Sequence, residues 1–225
     1  MAISLNVHGD QMVPTTGLHG ADIASQRLDE LDKRAIRYLL DFEAPHPVCL
    51  DVGCGLGWQG ARFATMGAEA HFYDLIPASG LITTLQEHGL RITYVRGDLR
   101  LPIRDFPADV ALAFSQRFVH YLRYTEAKTL IAAIGSHMLA DALFFVSASG
   151  IDSELGDKYR GKGVNIKDRF APLSLSNQKK HGIFEDVCLY NEKELEQLML
   201  SCGFRTQTVW RSTFGNIKGV FSRSS

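Results

Sequence analysis

The sequence predicts an α/β protein: one doubly wound, mostly parallel sheet of seven strands, with helices on both faces. Three observations predict it. From residue 48 onward, short apolar runs alternate with segments of helical period. The fifth run, residues 142–146, is apolar throughout, as a parallel strand covered on both faces should be. The last two runs, residues 204–210 and 217–221, flank a turn holding Gly215 and Asn216, which places an antiparallel hairpin strand at the C-terminal edge.

Taken in order, residues 20–42 have helical spacing. Ile23, Leu28, Leu31, Ala35 and Leu39 recur at three- to five-residue steps, with Arg27, Glu30 and Lys33 between them. Pro45 and Pro47 end that helix, because proline drives the preceding residue out of the helical region. Residues 48–52 form the first strand of the sheet, and a glycine cluster follows. Residues 57–66 are a short helix ended by Gly67, residues 70–73 a strand, and residues 81–88 a helix stopped by Gly89. Strands are predicted at 92–95 and 109–114. Thr125 is expected to cap a helix that carries Leu130, Ile134 and Met138 on one face. After the fifth strand, a helix over 192–200 stops at Gly203. The exception to the alternation is 150–187, polar and Gly-rich without a clean period, and too long for an ordinary connection. It reads as an insertion or lid on the functional side.

The chain has 225 residues, which fits a single domain (1–225) with an N-terminal helical cap (1–45) and the insertion as elaborations. Aromatic content of 10% and near-average charge exclude a disordered chain. No apolar stretch is long enough to span a bilayer, and residues 1–17 lack a basic and apolar leader pattern, so a cytoplasmic location without membrane contact is the expectation. A net charge of -1 argues against a surface built wholly for nucleic acid. Cys49, Cys54, Cys188 and Cys202 form no CxxC pair, so reduced, packed thiols are expected and no metal site.

Residues 51–57, Asp-Val-Gly-Cys-Gly-Leu-Gly, leave a buried strand and open a helix. In such sheets ligands bind beyond the carboxyl ends of the strands, where backbone N–H groups and a helix N-terminus point outward. Asp74, about twenty residues on, ends the second strand where a carboxylate can accept both hydroxyls of a ribose. Gly55, Gly57 and Gly60 also spell GxGxxG, and Tyr124 and Lys128 form a Tyr-xxx-Lys pair, both of which fit an NAD-dependent oxidoreductase. The register disfavours that reading: the dinucleotide fingerprint starts directly off its strand, whereas residues 51–54 intervene here.

With the following residues the pattern resembles the class I S-adenosylmethionine-dependent methyltransferases. Asp51-x-Gly53-x-Gly55-x-Gly57 is similar to the family's motif I. Asp74 matches its ribose-binding acid and Gly97-Asp98-Leu99 its adenine-side motif. Residues 106–115 resemble its fourth strand and methionine-side loop, and Tyr190-xxx-Glu194-Leu195 through Gly203-Phe204 its last helix and strand. The match covers about 48–150 and 188–222. It implies a Rossmann-like fold and S-adenosyl-L-methionine as cofactor, with S-adenosyl-L-homocysteine as product. It also implies roles. Gly53, Gly55 and Gly57 would shape the loop under the methionine part, with Asp51 orienting it. Asp74 would hold the ribose, with Leu75 on the adenine; Asp98 would accept from the adenine amino group beside Leu99. Ser115 would line the path to the sulfonium.

His120 and Tyr121 follow the fourth strand, where the family places substrate-facing residues, and are the catalytic candidates, His120 as a general base. His181 is a weaker second histidine, and His19-Gly20 or Arg34 are N-terminal candidates for cofactor contact. Trp58 stands where the family has smaller residues and is expected to pack the first helix. Between Gly156 and Gly182, Lys158, Arg160, Lys162, Lys167, Arg169, Lys179 and Lys180 face only Asp157 and Asp168, a local excess of five positive charges. The expectation is therefore methyl transfer to an O or N atom of a small, anionic metabolite. The alternatives are an RNA or nucleotide acceptor and a cofactor-binding partner subunit without chemistry. No Asn/Asp-Pro-Pro-Tyr/Phe signature follows the fourth strand, which argues against adenine methylation in DNA.

Overall fold

A computed structural model describes residues 4–8, 11–15, 28–101 and 106–224. The chain forms β1 (Ser4–His8), β2 (Gln11–Thr15), α1 (Glu30–Leu40), β3 (Val48–Val52), α2 (Trp58–Thr65), β4 (Glu69–Asp74) and α3 (Gly80–Glu87). It continues through β5 (Ile92–Arg96), β6 (Val110–Gln116), a 3-10 turn (Val119–Tyr121), α4 (Tyr124–His137) and β7 (Met138–Ala148). Then come a second 3-10 turn (Glu154–Gly156), β8 (Ala171–Pro172), α5 (Leu175–His181), β9 (Asp186–Val187), α6 (Glu192–Leu200), β10 (Phe204–Arg211) and β11 (Ile217–Arg223).

The main sheet has seven strands, the number the alternation predicted, in the order β10-β11-β7-β6-β3-β4-β5. β3 to β7 are parallel, and β11 inserts antiparallel between β7 and β10. The chain leaves β3 outward to β4 and β5, then returns to the other side of β3 as β6. Strand order reverses there, and a crevice opens between the carboxyl ends of β3 and β6. Helices bury their apolar stripes on the two faces. Leu31, Ala35 and Leu39 of α1 pack with Phe63, Phe114 and Phe145; Ile131 and Ile134 of α4 and Leu195 and Leu198 of α6 pack with Phe144 and Phe221. Completely burying such side chains stabilises by about 1.5–3 kcal/mol each.

Several boundaries differ from the sequence reading. The described part of the first helix starts at Glu30, where Asp29 caps it in a capping box with Asp32; residues 20–27 lie outside the described residues. Helix α4 begins at Tyr124, so Thr125 sits in its first turn rather than capping it, and Glu126 reaches back to the Arg123 N–H at 2.8 Å. Met138 has already left that helix for β7, which is longer than the apolar run because residues 139–141, near its start, are exposed. The β1–β2 hairpin had no clear signal in the sequence.

The insertion packs around its own cluster of Ile151, Leu155, Tyr159, Leu173, Ile183, Val187 and Leu189. The Tyr159 hydroxyl donates to the Val187 carbonyl at 2.5 Å, and β8 pairs with β9. Buried Arg169 ties the segment to α6 through two 2.8 Å bonds to Glu194 and one to the Leu189 carbonyl. Apolar residues are there, but they follow no single period because turns and short elements carry them, which is why the sequence reads as irregular.

Candidate active site

The cavity at the switch point has a volume of about 580 Å³ and is walled by the loops after β3, β4, β5 and β6 and by part of the insertion. The glycine loop forms its floor. Gly53, Gly55 and Gly57 have φ of 69°, 55° and 81°, the left-handed region that favours glycine. Gly53 is doubly constrained, since a Cβ there would lie 2.1 Å from the Phe118 ring on the loop after β6. The N–H of Gly53 donates to the Tyr73 carbonyl at 2.8 Å, tying the loop to β4.

Asp51 and Asp74 hold this loop by different atoms. Asp51, almost completely buried, accepts from the Gly60 N–H at 2.8 Å and so caps α2, whose N-cap residue Gly57 has no side chain to do it. Burial pushes its carboxyl up to about 7, with the neighbouring Asp74 charge adding to the effect. Asp74 accepts from the Gly55 N–H at 2.7 Å with one oxygen and from the Ile76 N–H at 3.1 Å with the other. Asp98 is gripped by Arg100 through Nε to Oδ1 at 2.9 Å and Nη2 to Oδ2 at 2.6 Å, and this guanidinium holds its carboxyl below the ordinary range. The N–H of Gly97 donates to the Asp74 carbonyl at 2.9 Å, and a Cβ on Gly97 would meet nothing within 4 Å, so backbone rather than side chain faces the cavity there.

Asp51, Gly53, Gly55, Asp74, Leu75, Asp98, Leu99 and Tyr121 are brought together on the wall. Gly57, Ser115 and His120 are not part of it. Ser115 is buried behind it, its hydroxyl without a partner among the described residues. His120 is completely buried: the Ser149 N–H donates to its Nδ1 at 3.4 Å, and its carbonyl accepts from the Cys188 N–H at 2.7 Å. Its ring lies 4.2 Å from that of Tyr121. Desolvation, reinforced by the Arg117 charge, pushes the imidazole well below its usual pKa, so it is neutral at pH 7. Burial likewise pushes the Tyr121 phenol up, and it stays protonated. Arg34 pairs with Glu30 and stands 4.6 Å over the Trp210 ring, away from the cavity; His19 and Gly20 lie outside the described residues.

Other lining residues had no motif to announce them: Gln59, Gln116, Arg117, Phe118, Phe170, Glu185 and Asp186. Gln116 donates to Asp29 at 2.9 Å, Gln59 donates to Asp32, and Lys218 from β11 pairs with Asp29 at 2.7 Å. Against the cost of burial, the Lys218 ammonium holds Asp29 below the ordinary range, whereas burial and the Asp29 charge push Asp32 up to about 8. The N-terminus of α1 is thereby fastened to two residues of the cavity wall. Arg117 has φ of 54°, and its N–H donates to Ser147 at 3.0 Å. For a non-glycine residue this backbone costs roughly 1–3 kcal/mol and persists only where surrounding structure imposes it. The signal available in the sequence was position alone, immediately after the fourth parallel strand.

No protein-family model matches the chain, and no curated protein does. Solved structures do. A 1,6-didemethyltoxoflavin-N1-methyltransferase of Burkholderia thailandensis, crystallised with 1,6-didemethyltoxoflavin and S-adenosylhomocysteine, superposes with a TM-score of 0.64 at 18% identity, covering 87% of this chain and 79% of that one. An S-adenosylmethionine-dependent methyltransferase of Clostridium acetobutylicum gives 0.65 at 10% identity over 89% and 94%. The magnesium protoporphyrin IX methyltransferase of Synechocystis, with bound S-adenosylhomocysteine, gives 0.59 at 16% over 96% and 90%.

The chain has the class I methyltransferase fold. Within that fold the cavity lies at the strand-order reversal. Its acceptors would suit S-adenosylmethionine. Three carboxylates, Asp51, Asp74 and Asp98, line the cavity, and that molecule would bring an ammonium, a ribose diol and an amino group, all hydrogen-bond donors. The buried Gln59 Oε1, without a partner among the described residues, adds a further acceptor on the same wall.

Proposed function

We propose that the protein is an S-adenosylmethionine-dependent methyltransferase acting on an O or N atom of a small, anionic molecule. The observation that carries this reading is the convergence of Asp51, Asp74 and Asp98 on one cavity around the left-handed glycine loop. Asp74 keeps lone pairs for a ribose diol beyond its two N–H partners, and Leu75, half exposed, offers an apolar face for the adenine. Asp98 and Leu99 bound the adenine end, and ionised Asp51 with Gln59 receives the ammonium. Bound there, the cofactor supplies an electrophilic methyl group on a sulfonium.

The work of the chain is alignment. In-line displacement needs acceptor, methyl and sulfur on one axis, and such positioning supplies up to ~7–11 kcal/mol in the best intramolecular cases. Tyr121 is the residue that meets the acceptor, donating a hydrogen bond to it, and His120 positions the Tyr121 ring from behind. Burial and the Arg117 charge weaken His120 as a proton acceptor, and burial keeps the proton on Tyr121, so neither is a strong base in the unliganded site. That favours an acceptor already ionised before it reacts, such as a carboxylate or a phenolate. The cavity volume of about 580 Å³ lies within the ~300–1,000 Å³ usual for small-molecule sites, and Phe170, Glu185 and Asp186 wall it from the insertion side. Acidic residues at that wall disfavour nucleic acid.

The test is methyl transfer from S-adenosylmethionine to a panel of small acids and phenols. Tyr121→Phe is expected to lower turnover on the responding acceptor at least tenfold with S-adenosylhomocysteine affinity within about twofold. His120→Asn is expected to show a smaller loss in kcat than in stability. Turnover unchanged in both variants would remove this turn from the mechanism.

A further inference from the structure

The acceptor side of the cavity needs a cation if the acceptor is an anion, and the insertion does not provide one. None of its seven basic residues lines the cavity, and Arg169 is occupied by Glu194. Elsewhere near the site Arg100 is held by Asp98 and Lys218 by Asp29. Arg117 differs from all of these. It lines the cavity, its Nε is buried without a hydrogen-bond partner, and no carboxylate forms a salt bridge with it among the described residues. A guanidinium is charged at every accessible pH, and burying its Nε–H without an acceptor is costly, while the rest of the part-exposed side chain reaches the cavity. The backbone that presents it is held in the left-handed region by Ser147, whose carbonyl and hydroxyl both accept from the Arg117 N–H at 3.0 Å. Two unfavourable features at one residue of a ligand cavity point to a ligand that relieves them.

We propose that Arg117 anchors an oxyanion of the methyl acceptor, most simply a carboxylate held by two parallel N–H···O bonds. Phe118 and Tyr121 adjoin Arg117 on the wall, and Phe170 lines it from the insertion, so the acceptor that fits is a planar, ring-bearing acid. Glu185 and Asp186 line the insertion side and repel an anion, which confines the oxyanion to the Arg117 end. This inference rests on the methyltransferase reading for the word acceptor; the anion site itself does not.

The experiment compares wild type, Arg117→Met and Arg117→Lys, each with and without saturating S-adenosylhomocysteine. Thermal unfolding is followed against benzoate, inorganic phosphate and the neutral control benzamide. The expected result has three parts. Benzoate raises the wild-type Tm saturably and benzamide does not. The apparent benzoate Kd rises at least tenfold in Arg117→Met and less in Arg117→Lys. Arg117→Met without ligand unfolds at the same or a higher temperature, because a buried N–H without an acceptor has been replaced by an apolar chain of similar length. A Tm fall of 5 °C or more in ligand-free Arg117→Met overturns the inference, since Arg117 would then hold the fold together. Equal benzoate binding in wild type and Arg117→Met overturns it as well, as does no response of wild type to either anion. A tenfold loss of S-adenosylhomocysteine affinity in Arg117→Met assigns the guanidinium to the cofactor's own carboxylate and overturns the acceptor assignment. Failure of wild type to bind S-adenosylhomocysteine contradicts the methyltransferase reading instead, and the arm without it then decides the anion site alone.

Discussion

The two ends of the cavity are built by different means. At the end proposed for the cofactor, one stretch of sequence does the work: glycines at three positive-φ positions and the aspartates of β3 and β4, which accept from N–H groups of Gly60, Gly55 and Ile76, all between residues 51 and 76. At the end proposed for the acceptor, the wall is assembled from Arg117 and Tyr121 after β6, Phe170 and Glu185 from the insertion, and Gln116 fastened by the capping box of α1. The first end is a property of short segments, the second of long-range packing. The fold persists at 10–18% identity to solved methyltransferase structures, and a wall assembled by long-range packing is free to differ between proteins that share it.

The largest expected effect breaks the cofactor end. Gly53→Ala forces an alanine to φ near 69° and drives its Cβ into the Phe118 ring, which should cost about 2–5 kcal/mol of stability in urea unfolding. Phe118→Ala in the same chain should recover the part due to the clash but not the part due to the backbone. Additive losses in the two variants would mean that the glycine loop and the β6 loop are not coupled.

A smaller effect concerns Asp51. Its carboxyl is raised from 3.8 to about 7, so the folded chain keeps a proton that the unfolded chain loses. The sign follows: its contribution to stability is greatest below pH ~4 and declines as pH rises through 7. Ligand binding runs the other way, because the ammonium of the cofactor prefers the ionised carboxylate. S-adenosylhomocysteine affinity should fall by up to roughly tenfold per pH unit below pH 7 and level off above it. Asp51→Asn should flatten both profiles, as followed by calorimetry and by unfolding at pH 5, 6, 7 and 8.

The smallest effect sharpens the acceptor end. Replacing Arg160, Lys162, Lys167 and Lys179 together by Gln should change stability by less than about 0.5 kcal/mol and leave benzoate binding as it was. A tenfold loss of benzoate affinity would return anion recognition to the insertion.

The same contrast sets what could be read from the residues alone. The strand count, the antiparallel edge and the glycine loop were legible because short apolar runs, turn residues, glycine spacing and Asp74 lie within short windows; strand order had no such local signal. The positive charge of the insertion was equally legible, but charge counts along a chain do not say which side chains face inward: none of the seven basic residues between Gly156 and Gly182 lines the cavity, and Glu185 and Asp186 do. His120 was visible as a histidine after the fourth parallel strand, but its burial under Ser149 and Cys188 depends on β7 and the insertion folding over it. Arg117 had no signal except its place, since neither left-handed backbone nor a buried Nε–H without an acceptor is written in residue type.

The most direct test is a calorimetric titration of the full chain with S-adenosylhomocysteine at pH 6, 7 and 8, with NAD as control. The structure calls for one site per chain, tighter at pH 8 than at pH 6, and no response to NAD. Submicromolar NAD binding with no heat from S-adenosylhomocysteine would contradict it.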